Sequence, residues 1–278
     1  MAYKTILAHW VDETAPEQAC ALAARLAGRF DGHVTAIAFG IEPNIAAYGY
    51  GAPGVGVVAG QTEEARDSAL AMKKAAEAWI AHLGISGDVH TVLTTIDGLS
   101  HAMASHARYA DLVVVEEPYA SPRDEVSVRV VEGAIFEGSA PVLVCPKTFS
   151  EDAGRTILVA WDRSLEALHA IRGALPLLKR AERVELTLID PDPGETGEAD
   201  PGADMALVLS RHGVPVEVAQ VPSAGLSIPD ALRRRVMEIG ADMMVMGGYS
   251  HSRLREALIG GATRDMLEAA PVPVLMAH

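Results

Sequence analysis

Near its C-terminus the chain carries glycines and a serine with the spacing of a backbone cradle for an anion. They run Gly247-x2-Ser250-x9-Gly260-Gly261, directly after the apolar stretch 243–246. Glycines placed after a strand and before a helix let backbone N–H groups converge on one point, and the helix dipole adds to the attraction. The pattern therefore predicts a site for a phosphate-bearing ligand.

A carboxylate, Asp162, ends a second apolar stretch, residues 156–161. Open parallel sheets bind ligands at the carboxyl ends of their strands, at the point where the strand order reverses. The residues that follow the first and fourth strands of such a sheet share that point. If residues 156–161 and 242–247 are those strands, Asp162 and Gly247 belong to one site.

An internal repeat supplies the elements that position these residues. Thr5-Ile6-Leu7-Ala8 recurs as Thr156-Ile157-Leu158-Val159, and Ala110-Asp111-Leu112 recurs as Ala241-Asp242-Met243. The offset between the copies is smaller for the second pair than for the first, so residues have been gained in the first copy or lost from the second. The first copy has a suitable insertion at residues 43–60, where repeated glycine and proline are expected to defeat both helix and strand.

Short β-branched runs alternate with helical patterns in each half of the chain. This alternation predicts an α/β fold of two tandem, doubly wound, Rossmann-like domains with about five parallel strands each. The domains are expected at residues 1–148 and 154–278. Helices are expected to begin at Thr14-x-x-Glu17 and Ser227-x-x-Asp230, which have the spacing of N-terminal caps. The predicted strands lie near 4–10, 33–39, 88–94, 111–116, 141–145, 156–161, 184–189, 215–221, 242–247 and 273–277.

Composition excludes several classes of function. The 278 residues are 49% hydrophobic and 22% charged, with a net charge of −14. Such a field disfavours nucleic acid and anionic membranes as partners. No apolar stretch approaches the ~20 residues that span a bilayer, and we expect a soluble, cytoplasmic protein. The two cysteines and scattered histidines have no metal-ligand spacing, so no metal site is expected.

The spacing from Gly247 to Gly261 resembles the nucleotide signature of the universal stress protein family, Gly-x2-Gly-x9-Gly-(Ser/Thr). Asp162 at the end of the first strand and the final strand within 270–275 extend the resemblance, and a weaker copy covers the first half. The resemblance implies a universal stress protein of the tandem type. Such a protein is a non-enzymatic stress-response and signalling module that binds ATP, with or without Mg²⁺, or a related adenine nucleotide.

The resemblance also implies roles for single residues of the second domain. Asp162 is expected near the ribose, and Gly247 is expected to contact the ribose through its backbone. Backbone donors to the phosphates are expected from Ser250, Gly260, Gly261 and Ala262. Two of these positions depart from the family pattern, because Ser250 replaces a glycine and Gly261 replaces a serine or threonine. The second departure keeps the backbone donor but removes a hydroxyl.

The first half has lost this signature. Glu116-Glu117-Pro118 follows its fourth strand, and two carboxylates repel phosphate while proline removes a donor. No residue is placed as a general base for ATP hydrolysis, so no catalytic residue is expected.

Two functions stay open, a nucleotide-binding module and a ligand-free scaffold. For the scaffold, the resemblance implies that the last strands, within 141–145 and 273–276, pair the two halves inside the chain. The sequence also leaves a homodimer open.

Overall fold

The computed structural model describes residues 2–11, 13, 18–44, 55–119, 124–149, 153–191, 201–248 and 262–278. Packing divides the chain into two compact units, Ala2–Ala140 and Pro141–His278. The first unit contains β1 (Thr5–Trp10), α1 (Gln18–Phe30), β2 (His33–Glu42), α2 (Val55–Leu83), β3 (Gly87–Thr95), a 3-10 turn (Ile96–Gly98), α3 (Leu99–Ala107), β4 (Leu112–Glu116), α4 (Glu125–Glu132) and a π-helical turn (Gly133–Glu137). Its strands are parallel and ordered β3-β2-β1-β4.

The second unit repeats this plan with two additional strands, one at its start and one at its end in chain order. Its elements are β5 (Val142–Cys145), β6 (Thr156–Ala160), α5 (Leu165–Leu178), β7 (Arg183–Ile189), α6 (Ala203–Arg211), β8 (Val216–Val221), α7 (Ile228–Ile239), β9 (Met243–Gly247), α8 (Ala262–Glu268) and β10 (Val274–Ala277). The strand order is β5-β10-β9-β6-β7-β8. All pairs are parallel except β5 with β10, which is antiparallel. The α/β class and the mostly parallel sheet predicted from the sequence are confirmed.

Two equivalent aspartates show the internal repeat at the level of hydrogen bonds. Asp111, just before β4, accepts from the backbone N–H of Lys4 (2.7 Å) and of Thr5 (2.9 Å) at the start of β1. Asp242, just before β9, accepts from the N–H of Gly154 (2.8 Å) at the approach to β6. In both units one carboxylate thus fixes the start of the first strand against the fourth.

The helix start predicted at Ser227 is confirmed. The Ser227 hydroxyl accepts from the Asp230 N–H at 3.3 Å and donates to the Asp230 carboxylate at 2.7 Å, which satisfies one unpaired amide of the first turn. Gly240 ends α7 in the left-handed conformation, with φ of 64°. The other predicted cap, Thr14-x-x-Glu17, lies outside the described residues.

Helix α2 corrects the prediction for residues 43–60. It begins at Val55, inside the segment expected to be neither helix nor strand. The buried side chains of Ala69, Met72 and Ile80 hold the helix within the core, and an existing helix extends at far lower cost than a new one forms. A glycine inside a helix costs only about 1 kcal/mol relative to alanine, so Gly60 does not stop it.

Strand β5 pairs with β10 by the register Val144 to Val274 and Val142 to Met276. The last strands of the two copies are expected to pair within the chain, and the structure shows that this pairing is antiparallel. It places residues 142–145 in the second compact unit, so packing divides the chain before the predicted junction. The domain bounds 1–148 and 154–278 remain a prediction about the duplicated units. In the described part of the chain, no helix is both long and apolar enough to cross a bilayer.

Candidate functional site

The second unit brings the ends of β6 and β9 side by side. These strands pair in parallel with Val159 opposite Val245, so Trp161, two residues further on, is level with Gly247. In the sheet, β7 and β8 lie on one side of β6, and β9 and β10 lie on the other side. This is the reversal of strand order at which open α/β sheets form a crevice.

A tight turn holds Asp162 at the end of β6. Its Oδ1 accepts from the Ser164 N–H (3.0 Å) and from the Ser164 hydroxyl (2.5 Å). The Ser164 hydroxyl in turn caps α5 by accepting from the Ala167 N–H at 3.1 Å. Arg163 between them adopts a left-handed backbone with φ of 66°, a conformation that costs a non-glycine residue about 1–2 kcal/mol. Asp162 itself is exposed, with its carboxylate at the N-terminus of a helix.

Glycine is required at position 247 because the first turn of α5 lies against it. A Cβ at Gly247 would stand 2.7 Å from the Ala167 nitrogen and 3.0 Å from the carbonyl carbon of Glu166. Such contacts can be relieved only by moving backbone. The end of β9 therefore packs directly on the helix that Asp162 and Ser164 begin, and these residues form one structural assembly.

Two histidines that no sequence motif indicates, His169 and His278, lie at these strand ends. His278 Nδ1 donates to the Gly248 carbonyl (3.2 Å), and His169 Nδ1 on α5 donates to the His278 carbonyl (3.3 Å). The Gly248 N–H donates to the Ala277 carbonyl at 2.9 Å. These bonds tie β9, β10 and α5 together where the glycine-rich segment begins. No local pattern predicts them, because they join residues that are far apart in sequence.

The structure describes three of the six predicted site residues. Asp162 and Gly247 lie at the ends of paired strands, and Ala262 begins α8. Ser250, Gly260 and Gly261 lie outside the described residues, so their roles stay predictions. Beyond them α8 is anchored by Arg233, whose guanidinium donates to the carbonyls of Asp265 and Ala269.

The three arginines of α7 contribute to packing. A run of basic residues at 233–235 is typical of the solvated face of a helix, but each of these side chains is partly buried and bonded. Arg234 donates to the Pro222 carbonyl at 2.8 Å. Arg235 reaches the buried Glu185 at 2.7 and 2.8 Å, and these bonds raise the pKa of the Arg235 guanidinium. These three arginines thus take part in the packing of α7 against its neighbours.

Comparison with known proteins agrees with this architecture. Residues 154–278 match the model of the Universal stress protein family. A universal stress protein from Archaeoglobus fulgidus is 16% identical, covers 98% of this chain and 97% of its own, and superposes with a TM-score of 0.66. A functionally unknown protein from Pseudomonas aeruginosa is 17% identical, with 99% and 92% coverage and a TM-score of 0.58. No curated protein shows significant sequence similarity to the chain.

A universal stress protein solved in complex with cAMP also matches, at 17% identity, with 53% and 100% coverage and a TM-score of 0.33. The strand order defines a doubly wound α/β protein whose order reverses at β6 and β9. More specifically, residues 154–278 are a universal stress protein domain, and the likeness to the Archaeoglobus protein extends that fold to the whole chain.

Proposed function

We propose that the second unit binds an adenine nucleotide, ATP or a relative, at the ends of β6 and β9. The protein then acts as a non-enzymatic signalling module whose output depends on nucleotide. The observation that supports this most is the position of Asp162 and Gly247. They are far apart in sequence, yet they follow neighbouring strands at the point where the strand order reverses.

In this proposal, the negative charge of Asp162 determines which end of the nucleotide lies next to it. The Asp162 carboxylate repels phosphate but accepts hydrogen bonds from the hydroxyls of a ribose. Its hydrogen bonds to Ser164 use Oδ1, and among the described residues no donor is bonded to Oδ2. The ribose therefore faces Asp162, and the phosphates extend toward the backbone of Ser250 and residues 260–262. Mg²⁺, where present, arrives on the phosphates, which are ligands that it prefers.

The test is a titration of ATP and Mg²⁺ followed by tryptophan fluorescence and calorimetry. Trp161 is next to Asp162, whereas Trp10 and Trp79 lie in the other unit, so binding at the proposed site changes the emission of Trp161. Asp162→Asn keeps an acceptor for the Ser164 N–H but loses a charged acceptor for the ribose. We expect it to weaken ATP binding about 10-fold and to leave the unfolding midpoint unchanged.

Asp204→Asn is the matched control, because Asp204 is exposed in the first turn of α6. It should leave ATP affinity unchanged. Absence of heat and of any thermal shift at millimolar nucleotide rejects the proposal. Equal affinity of the wild type and Asp162→Asn rejects the role of Asp162.

A ligand-free scaffold is the second candidate, and the antiparallel pairing of β5 with β10 favours it. Residues 142–145 and 274–276 are buried, so this pairing already covers apolar strands that would otherwise need a partner. The same titration separates the candidates, since a scaffold binds no nucleotide. Sedimentation of the full chain tests the homodimer, and fractionation of cells tests the cytoplasmic location.

A further inference from the structure

Glu116 in the first unit occupies the position that Gly247 occupies in the second. Strand β4 pairs with β1 through Ile6 opposite Leu112, and β9 pairs with β6 through Ile157 opposite Met243. Glu116 and Gly247 are each the last residue of a five-residue strand in this shared register. The two positions therefore correspond in space as well as in sequence.

Both positions face the N-terminal turn of the helix that follows the first strand. In the second unit the missing side chain of Gly247 leaves only backbone against Ala167. In the first unit the Glu116 carboxylate extends to α1, where Oε1 accepts from the Ala19 N–H at 2.6 Å. Ala19 is the second residue of α1 as described from Gln18, and an amide at that position has no partner within the described helix.

A negative charge at this place interacts favourably with the helix. Unpaired N–H groups and the helix dipole make the start of a helix attractive to an anion, and Glu116 is half-buried there. Helix α4, which follows β4 in the chain, is capped in the same manner by Asp124. Its carboxylate accepts from the N–H of Val126 (3.1 Å) and of Ser127 (3.0 Å). Burial acts to raise the pKa of Asp124, but the bonds from Ser127 and Val126 outweigh it and lower that pKa overall.

We propose that Glu116 is an internal anion that closes the first unit to phosphate-bearing ligands. Its carboxylate takes the α1 amide that an oxyanion would otherwise bind, and its charge repels a second anion. The single-site stoichiometry that follows rests on the proposed function, because only the second unit then binds nucleotide. The occupation of the α1 N-terminus by Glu116 does not depend on that function.

The test uses inorganic phosphate and a chain whose fluorescence reports on the first unit alone. The three tryptophans are Trp10, Trp79 and Trp161, so Trp161→Phe leaves only the two of the first unit. In this background Glu116→Ala removes the carboxylate and leaves the Ala19 N–H without it. Glu64→Ala, on the exposed face of α2, is the control with the same change of net charge.

Phosphate at tens of millimolar, compared with sodium chloride at equal ionic strength, is expected to raise the unfolding midpoint of Glu116→Ala by about 2–4 °C. The midpoints of the parent and of Glu64→Ala should move by less than a degree. Glu116→Gln keeps an acceptor in place, so phosphate should not stabilise it. Equal phosphate effects on the parent and on Glu116→Ala, or none on either, overturn the proposal.

The outcome is separable from that of the proposed function. If the parent binds no ATP but phosphate stabilises Glu116→Ala, the proposed function fails and the internal anion stands. If the parent binds one ATP and phosphate acts on neither protein, the internal anion fails and the proposed function stands. Two ATP molecules per wild-type chain also overturn the role of Glu116.

Discussion

Replacement of His9 should remove a large part of the acid sensitivity of the first unit. His9 is 6% exposed in β1, with its ring 5.3 Å from that of Phe39. Burial lowers the pKa of His9 to about 4, although the nearby Asp124 carboxylate acts to raise it. The ring therefore stays neutral in the folded protein at a pH where an exposed histidine takes up a proton.

The sign and size of the effect follow from linkage. An exposed histidine has a pKa near 6.5, so between pH 6.5 and 4 the unfolded chain binds a proton that the folded chain does not. Stability is fully present above pH 6.5 and falls as the pH decreases. At about 1.4 kcal/mol per pH unit of pKa difference, the loss is about 2 kcal/mol by pH 5 and about 3 kcal/mol in total.

The assay is urea unfolding at pH 7, 6 and 5, followed by tryptophan fluorescence in the Trp161→Phe background. Trp10 adjoins His9 in β1 and therefore reports on the same unit. The wild type should lose about 2 kcal/mol more than His9→Phe between pH 7 and pH 5, because the other titrating groups are common to both. His101→Gln, at an exposed position, should behave like the wild type. Parallel pH profiles for the wild type and His9→Phe refute the reasoning.

Three further substitutions test packing and capping by denaturant unfolding. Arg235→Met leaves the buried Glu185 carboxylate without its bidentate partner and should lower the free energy of unfolding by about 3–5 kcal/mol. Replacing both Arg235 and Glu185 with methionine should restore most of this loss. Gly133→Ala places a Cβ onto the Ser100 carbonyl oxygen and should cost about 1–3 kcal/mol; an unchanged midpoint contradicts that contact. Ser227→Ala removes the cap of α7 and should cost about 1 kcal/mol, whereas Ser227→Asp should cost little.

The strands could be predicted from the sequence because most are short runs rich in β-branched residues, bounded by polar residues or turns. The strand predicted near 88–94 is Gly87–Thr95, and the one predicted near 242–247 is Met243–Gly247. The internal repeat also helped, because a strand recognised in one half indicates its counterpart in the other half. The start of α2 at Val55 was missed because the local preference of glycine is outweighed by packing further along the helix.

The candidate site could be predicted only in part, from the strand order of a doubly wound sheet. Asp162 and Gly247 follow strands that a doubly wound sheet brings together, so their proximity could be inferred from strand order. The bonds of His278 to Gly248 and of Glu116 to Ala19 could not, because each depends on side-chain direction across elements that are distant in sequence. The sequence did indicate that Glu116 opposes phosphate, but not that it binds a helix amide.

Photolabelling with 8-azido-ATP tests most directly whether the end of β6 and β9 holds a nucleotide. Labelled full-length protein is digested and the modified peptides are mapped. We expect saturable labelling in peptides from the second unit that contain Trp161 or Gly247. Excess ATP should prevent this labelling. Labelling confined to the first unit, or labelling that excess ATP does not reduce, would contradict the account.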